Sequence, residues 1–400
     1  MVYDKTDTCY MVLPEYGKQR LLTYAETLDE LSGSYLSGRN ERDDQSDKRQ
    51  MLLKQQIHEN RSVISGQLAT ISKLLKNLAN EAYCTSGSME KHKKQIYKIL
   101  QENGLDIQDL YTVANRNGYL QIGMTMRAHH VNDLYESEDI SGFLSKLLHN
   151  HMEASPSAPT YIGEDYTKVV FREEVRYFMT NAVAKATKEG EAYSGDNFTM
   201  TELADGTYLA AISDGMGSGE AANEDSGMVI ELLEQFLEAG FTKEMAAGML
   251  NDLLLARDLE PRTATLDVME CNLYSGEIGF LKLGAAASFL LRDGRAEMFT
   301  EHSLPLGLLA GVSGRKNRDT MSSFLRAGDV IVMVSDGITD SIADAAADAD
   351  ASVPIKRLLE SYDFVSCKDL ANQILKMAIL SFQGYIQDDM TVLVMQLQEK

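Results

Sequence analysis

Apolar residues recur every seven positions early in the chain: Ile57, Ile64, Ile71 and Leu78. Leu68 and Leu75 fall four after Ile64 and Ile71. Residues at that spacing share one helix face, so 43–84 reads as a long helix with an a/d-like seam. Lys54, Gln55, Glu59, Lys73, Lys76 and Asn77 fill the opposite face. Two readings stand. Either the seam packs within its own domain, or it is a dimerisation or signalling helix, pairing with a second copy in a homodimer.

Beyond that helix the period changes. Residues 91–103 read as a helix stopped at Gly104. Residues 110–114 and 119–127 read as strands joined by the turn Asn115-Arg116-Asn117-Gly118. A helix follows over 140–150. Ser155-Pro156-Ser157-Ala158-Pro159 then breaks the pattern and reads as a linker. After it, 166–171 and 175–184 alternate and are rich in Val, Tyr and Phe, as strands are. The rest mixes strands at 208–213, 266–274, 278–283, 288–292, 330–335 and 390–397 with helices at 221–239, 243–255 and 367–382. The expected class is α+β: a β-sandwich flanked by helices, preceded by the long helix and a small α+β domain. The boundary falls in the linker, giving a helical and α+β regulatory region over 1–160 and a second domain over 161–400.

Composition narrows what such a chain does. Its 400 residues, 44% hydrophobic, suffice for two cores. The net charge of −22 repels phosphate backbones, so no nucleic acid is expected as a partner. Cys9, Cys84, Cys271 and Cys367 are far apart and form no CxxC pair, which argues against a zinc site and for a reducing compartment. His129-His130 and His149/His151 lack metal-site spacing and read as solvated surface. No apolar run reaches the roughly 18 residues that span a bilayer, and no signal peptide follows Met1. The expected location is cytoplasmic. A membrane is expected only if a longer natural chain carries an N-terminal membrane domain.

Three motifs carry candidate chemistry. The apolar run Leu209-Ala210-Ala211-Ile212 enters Ser213-Asp214-Gly215-Met216-Gly217-Ser218-Gly219. The run Val330-Ile331-Val332-Met333-Val334 enters Ser335-Asp336-Gly337. Asp388-Asp389 stands directly before Met390-Thr391-Val392. A fourth motif, Ser194-Gly195-Asp196-Asn197, lies upstream. One Ser-Asp-Gly after a strand is an ordinary turn signal. Its repetition points instead to a shared site. Carboxylates at buried strand ends are costly unless neutralised. Oxygen-only ligands suit hard cations such as Mg²⁺ and Mn²⁺. Two such ions, held close together, activate a bridging water for attack on phosphorus.

These four motifs resemble, in order, those of the metal-dependent type 2C protein serine/threonine phosphatases, and specifically their bacterial sporulation branch. Phe280–Phe289, with Lys282-Leu283-Gly284-Ala285, and Ser303-Leu304-Pro305-Leu306-Gly307 add to the likeness. The resemblance covers about 166–398 well and 1–165 more loosely. It implies a type 2C phosphatase-like sandwich binding two Mn²⁺ or Mg²⁺ ions. Asp196 and Asp214 then match metal-bridging and metal-binding carboxylates. Gly215 matches a glycine that offers its carbonyl, and Asp336 and Asp388 match the remaining ligands. Asp389 stays with them because the Asp-Asp register is ambiguous. Many members carry an arginine before the first aspartate to hold phosphate. None stands there here, and Lys185 and Lys188 are the nearest cations.

The resemblance further implies hydrolysis of phosphoserine or phosphothreonine on a phosphorylated anti-anti-sigma factor, activating a sporulation sigma factor. The rivals are a partner-switching stress-response phosphatase with another substrate, and a weakly catalytic regulatory scaffold binding through the 43–84 helix. No cysteine sits in a nucleophile loop, so thiol chemistry is not expected.

Overall fold

The computed structural model describes residues 87–400 apart from 116, 131–132, 239, 257–262, 302, 309–320 and 347–351, together with a few helical residues before 87. It divides into two compact units, Met1–Glu174 and Val175–Lys400.

In the first unit, helix α1 (Gly87–Glu102) is followed by the antiparallel hairpin β1 (Leu105–Ala114) and β2 (Leu120–Ala128). Asn115 shapes the expected turn: its Oδ1 accepts from the Asn117 and Tyr119 N–H groups. A two-stranded ribbon of β3 (Tyr135–Glu136) and β5 (Tyr161–Ile162) encloses α2 (Ser137–Leu148) and β4 (Met152–Ala154) in sequence. Strand β6 (Thr167–Glu173) completes a sheet of order β1-β2-β6-β4. Ile96 and Leu100 of α1 and Ile140 and Leu144 of α2 pack on Ile122, Met124, Val169 and Phe171.

Two expectations shift here. Residues 155–159 form a turn rather than a linker: the Ser155 N–H donates to the Val170 carbonyl and the Ala158 N–H to the Ser155 carbonyl. The boundary moves from 160 to 174, because β6 pairs with β2 and β4 inside the first unit's sheet. Most of the 43–84 helix lies outside the described residues. Ser65, Gly66, Leu68, Ala69, Ile71 and Ser72 are described and helical. Ser65 and Ser72 are buried, and the Ser72 hydroxyl donates to the Ala25 carbonyl at 2.8 Å. Ile71, a seam residue, stays 44% exposed.

The second unit is a sandwich of two five-stranded antiparallel sheets. One contains β8 (Asp196–Glu202), β9 (Thr207–Asp214), β10 (Leu266–Asn272), β11 (Glu277–Leu283) and β14 (Met321–Phe324), in the order β14-β11-β10-β9-β8. The other contains β7 (Tyr177–Ala186), β12 (Ser288–Arg292), β13 (Arg295–Phe299), β15 (Val330–Val334) and β16 (Met390–Glu399), in the order β13-β12-β15-β16-β7. Strand alternation sorts the side chains. Leu209 and Ala211 of β9 pack outward on Val229, Leu233 and Leu250 of helices α3 (Glu220–Glu238) and α4 (Lys243–Ala256). Val332 and Val334 of β15 pack outward on Ile338, Ile355 and Leu370. Those belong to α5 (Asp336–Ala346), α6 (Ser352–Ser361) and α7 (Cys367–Ser381). Between the sheets, Phe280 stacks on Phe299 with centroids 4.7 Å apart, and Asn181 donates to the Tyr208 hydroxyl at 2.8 Å. The sandwich with outer helices is thus present as expected, and β15 is buried along its whole length.

Strand β8 and helix α5 lie where the sequence shows only Asp-containing turn motifs. The turn reading was too short because Asp is favoured in the first turn of a helix, where it faces the positive end of the dipole.

Candidate metal centre

The two Ser-Asp-Gly motifs close the two sheets in the same manner. On the first sheet, β8 and β9 set Asp196 directly opposite Asp214. The Ser213 hydroxyl donates to the Thr265 carbonyl, the Asp214 N–H donates to Thr265 Oγ1, and Thr265 returns its N–H to the Asp214 carbonyl at 2.8 Å. Gly215 donates to the Gly195 carbonyl, and a Cβ on it would overlap the Ala222 carbonyl of α3. Only glycine lets that helix approach so closely.

On the second sheet, Ser335 and Thr391 clasp each other. The Ser335 N–H donates to the Thr391 carbonyl, and the Thr391 N–H donates to the Ser335 hydroxyl at 2.9 Å. A Cβ on Gly337 would overlap the Asp389 carbonyl. In each motif the serine fastens the strand end, the aspartate opens the exit, and the glycine makes room.

The Asp388-Asp389 ambiguity resolves into two different environments. Asp389 is buried and already engaged: Oδ1 accepts the Lys188 N–H at 3.0 Å and Oδ2 the Gly195 N–H at 2.8 Å. It ties the loops carrying Lys188 and Gly195 to the start of β16. Asp388 is exposed, its Oδ1 accepts its neighbour's N–H, and it stands 4.0 Å from the Lys188 ammonium. Lys185 Nζ donates to the Asp196 carbonyl at 2.6 Å, so its ammonium braces the backbone.

The five carboxyl groups act on one another electrostatically. Burial pushes Asp196 up to about 6, helped by the charges of Asp336 and Asp389. The hydroxyls of Thr391 and Ser335 pull the other way, yet neither makes a proper hydrogen bond: both carboxyl oxygens of Asp196 are buried without a partner. Burial followed by Asp196, Asp336, Asp388 and Asp389 pushes Asp214 up to about 8. Asp336 is raised as well, by burial and then by Asp388. Among the described residues no three acidic, histidine or cysteine side chains form a ready-made ion cage. The donor set nevertheless fits hard cations. It is all oxygen, it includes two orphaned carboxylate oxygens, and its mutual repulsion is what a divalent cation relieves.

One feature was not legible as functional from the sequence. The cleft beside Asp214 and Asp336 is also lined by Thr265, Asp267, Gly284, Ala285, Ala286 and Ser335. Asp267 and Lys282 face each other across β10 and β11 and are both buried. Lys282 Nζ donates to Asp267 Oδ2 at 2.6 Å, the Ala286 carbonyl at 2.7 Å and Ser288 Oγ at 2.8 Å. Asp267 Oδ1 has no partner. This ion pair pins the 284–286 loop, which forms one wall of the cleft. A lysine and an aspartate at inward strand positions were the available signal.

A sandwich closed in this way, with aspartates at the ends of both sheets, has the fold of the type 2C protein serine/threonine phosphatase domains. The solved PP2C phosphatase domain and regulatory-domain fragment of the cell fate determinant SpoIIE from Bacillus subtilis aligns with a TM-score of 0.58 at 26% identity, covering 88% of this chain and 96% of that one. Residues 204–398 match the family model for stage II sporulation protein E, and residues 36–173 match that for the SpoIIE regulatory domain. The chain belongs to the stage II sporulation protein E family. It is 28% identical over 348 residues to stage II sporulation protein E of Bacillus subtilis (strain 168), covering 87% of this chain and 41% of that protein. It is 28% identical over 346 residues to the Priestia megaterium protein, covering 86% of this chain and 58% of that one. The chain thus spans about half the length of these relatives.

The raised carboxyls fix a pH dependence. Asp196 and Asp214 hold protons in the metal-free fold that the unfolded chain gives up nearer pH 4, so their contribution to stability is lost as pH rises through about 6 and then about 8. Thermal unfolding in EDTA should occur at a lower temperature at pH 8 than at pH 5.5, and Asp214→Asn should flatten that slope. Added Mn²⁺ should stabilise more at pH 8 than at pH 5.5. An unfolding temperature in EDTA that ignores both pH and Asp214→Asn would refute the crowding.

The buried ion pair yields a second expectation. Lys282→Met leaves a buried carboxylate without its cation and should cost about 3–5 kcal/mol in urea unfolding. Combining it with Asp267→Leu should recover most of that loss. A single variant as stable as the wild type would mean the pair is not held as described.

Proposed function

We propose that the chain hydrolyses phosphoserine or phosphothreonine on a protein, with Asp196, Asp214, Asp336, Asp388 and the Gly215 carbonyl holding two ions, Mn²⁺ or Mg²⁺. The observation that carries this reading is Asp196, whose two oxygens are buried, unpaired and within electrostatic reach of Asp336 and Asp389. Bound ions would lower the pKa of a water to supply the nucleophile and would neutralise charge on the phosphoryl oxygens. The chain's own residues do the rest. Asp196 and Asp214, fixed opposite each other by the β8–β9 register, set the spacing of the ligands. Asp389 orients the Lys188 and Gly195 loops instead of reaching the reaction itself. Lys188, half-buried beside Asp388, is placed to hold a phosphoryl oxygen in the role that an arginine fills in many type 2C enzymes. Leaving-group protonation is assigned to solvent.

The resemblance supports a phosphorylated anti-anti-sigma factor as the substrate and the activation of a sigma factor as the outcome, and the family name supports a place in sporulation. Among the described residues no helix is long and apolar enough to cross a membrane.

Asp214→Ala or Asp336→Ala should each reduce Mn²⁺-dependent hydrolysis of p-nitrophenyl phosphate by at least about 100-fold while keeping the wild-type circular dichroism, as loss of a strong transition-state stabiliser does. EDTA should abolish the activity, Mn²⁺ or Mg²⁺ should restore it, and thiol alkylation should leave it intact. Full turnover by either variant at saturating Mn²⁺ would disprove the assigned site.

The first unit is proposed to regulate the second and to self-associate through the 43–84 seam. Ile71 supports this, because it lies on the seam and is left exposed by its own chain. Sedimentation should show a dimer at tens of micromolar, on the order of a weak-dimer dissociation constant, and a monomer for Ile64→Asp/Ile71→Asp. Identical monomeric behaviour for both proteins would assign the seam to packing within one chain.

A further inference from the structure

Apolar side chains scattered singly over a surface need no explanation. In the phosphatase domain, five of them gather at the end that carries the carboxylates. Tyr193, Met216, Leu304, Leu308 and Tyr385 are 47 to 66% exposed, and each stands on a loop fastened to the metal centre. Tyr193 immediately precedes Ser194-Gly195-Asp196. Met216 follows Gly215, and its N–H donates to the Thr263 carbonyl. Leu304 and Leu308 flank Leu306, which bridges to Ala264, which in turn bridges to Gly215. Tyr385 lies three residues before Asp388, on a loop held by the bond from the Glu189 N–H to the Ile386 carbonyl. The Ser218 hydroxyl donates to Glu191, joining the loop of Tyr193 to that of Met216. Apolar groups therefore stand beside the ends of both sheets.

Exposed charges on the described residues of these loops are mostly acidic, the half-buried Lys188 being the exception already assigned to the phosphate. Glu189, Glu191, Glu220 and Asp388 are exposed. Ions and a lysine suffice to recognise a phosphate monoester, and they make no use of an apolar rim. A polypeptide does use one, since Tyr, Met and other large apolar groups anchor protein interfaces while charge at the rim selects the partner.

We propose that this rim is the docking surface for a protein substrate whose phosphoserine is flanked by apolar residues, with basic residues beyond them. The inference rests on the phosphatase reading and adds the character of the substrate. The apolar flanks cover Leu304, Leu308 and Tyr385 while the phosphate enters the carboxylate cleft. Lys or Arg side chains at the periphery meet Glu189, Glu191 and Glu220. An acidic flank would be repelled by the same groups.

Two phosphoserine peptides of equal length test this, one with Leu and Lys flanks and one with Gly and Glu flanks, alongside p-nitrophenyl phosphate, all with Mn²⁺. The wild type should favour the Leu/Lys peptide by about tenfold or more in kcat/KM, the size of one good interface anchor. The triple variant Leu304→Ser/Leu308→Ser/Tyr385→Ser replaces no carboxylate. It should bring that ratio to within about twofold of unity while p-nitrophenyl phosphate turnover and unfolding temperature stay at wild-type values. Equal kcat/KM for the two peptides with the wild type overturns the docking surface and leaves the phosphatase reading standing. So does a preference that survives in the triple variant, or a matching loss of p-nitrophenyl phosphate turnover. A wild type that hydrolyses none of the three substrates overturns both.

Discussion

Mutual repulsion among aspartates is the constraint on which the second unit is organised. Asp196, Asp214, Asp336, Asp388 and Asp389 are brought within electrostatic reach of one another, and burial followed by the neighbouring charges raises the pKa of three of them. A fold seeking only stability would not assemble them, because each unpaired buried charge costs several kcal/mol. The cluster persists because strand registers, not side-chain affinities, put it together. The pairing of Asp196 with Asp214 follows from the β8–β9 ladder, whose seven residue pairs a single carboxyl pair cannot break.

The supporting residues are small and specific. Ser213 and Ser335 fasten strand ends, and Gly215 and Gly337 let a helix carbonyl and the Asp389 backbone come close. Asp389 spends both oxygens on backbone N–H groups, so it organises two loops without adding a free acceptor to the cluster. Beneath it, the Lys282–Asp267 pair is buried and hydrogen-bonded, which holds the 284–286 wall in one position. Such a site is rigid where ligands must be placed and strained only in charge, and charge is what a divalent cation corrects.

The first unit is built on different terms. Among its described residues the core is an ordinary apolar cluster between two helices and a four-stranded sheet, with no acidic focus. Its described helical residues near 65–72 bury serines and expose Ile71. That inversion of the usual pattern supports the proposed self-association.

Much of this was legible in the chain itself. The strand read at 330–335 is uninterrupted apolar sequence as far as Val334, and it and the helices read at 221–239 and 367–382 were placed within a residue. The repeated Ser-Asp-Gly and the Asp-Asp doublet pointed to one site because that chemistry is local and recurs. What the sequence did not carry was everything decided by pairing between distant segments. The turn at 155–159 looked like a domain linker until β6 was seen to join the first unit's sheet, since composition marks a break in the chain but not which sheet resumes after it. Asp388 and Asp389 were indistinguishable as neighbours in sequence. Only the arrival of the Lys188 and Gly195 N–H groups commits Asp389 to the backbone and leaves Asp388 facing outward. Lys282 and Asp267 are fifteen residues apart, and only strand register brings them together in a place water does not reach. Periodicity and motif chemistry are properties of consecutive residues, whereas register, burial and electrostatic crowding exist only once remote strands lie side by side.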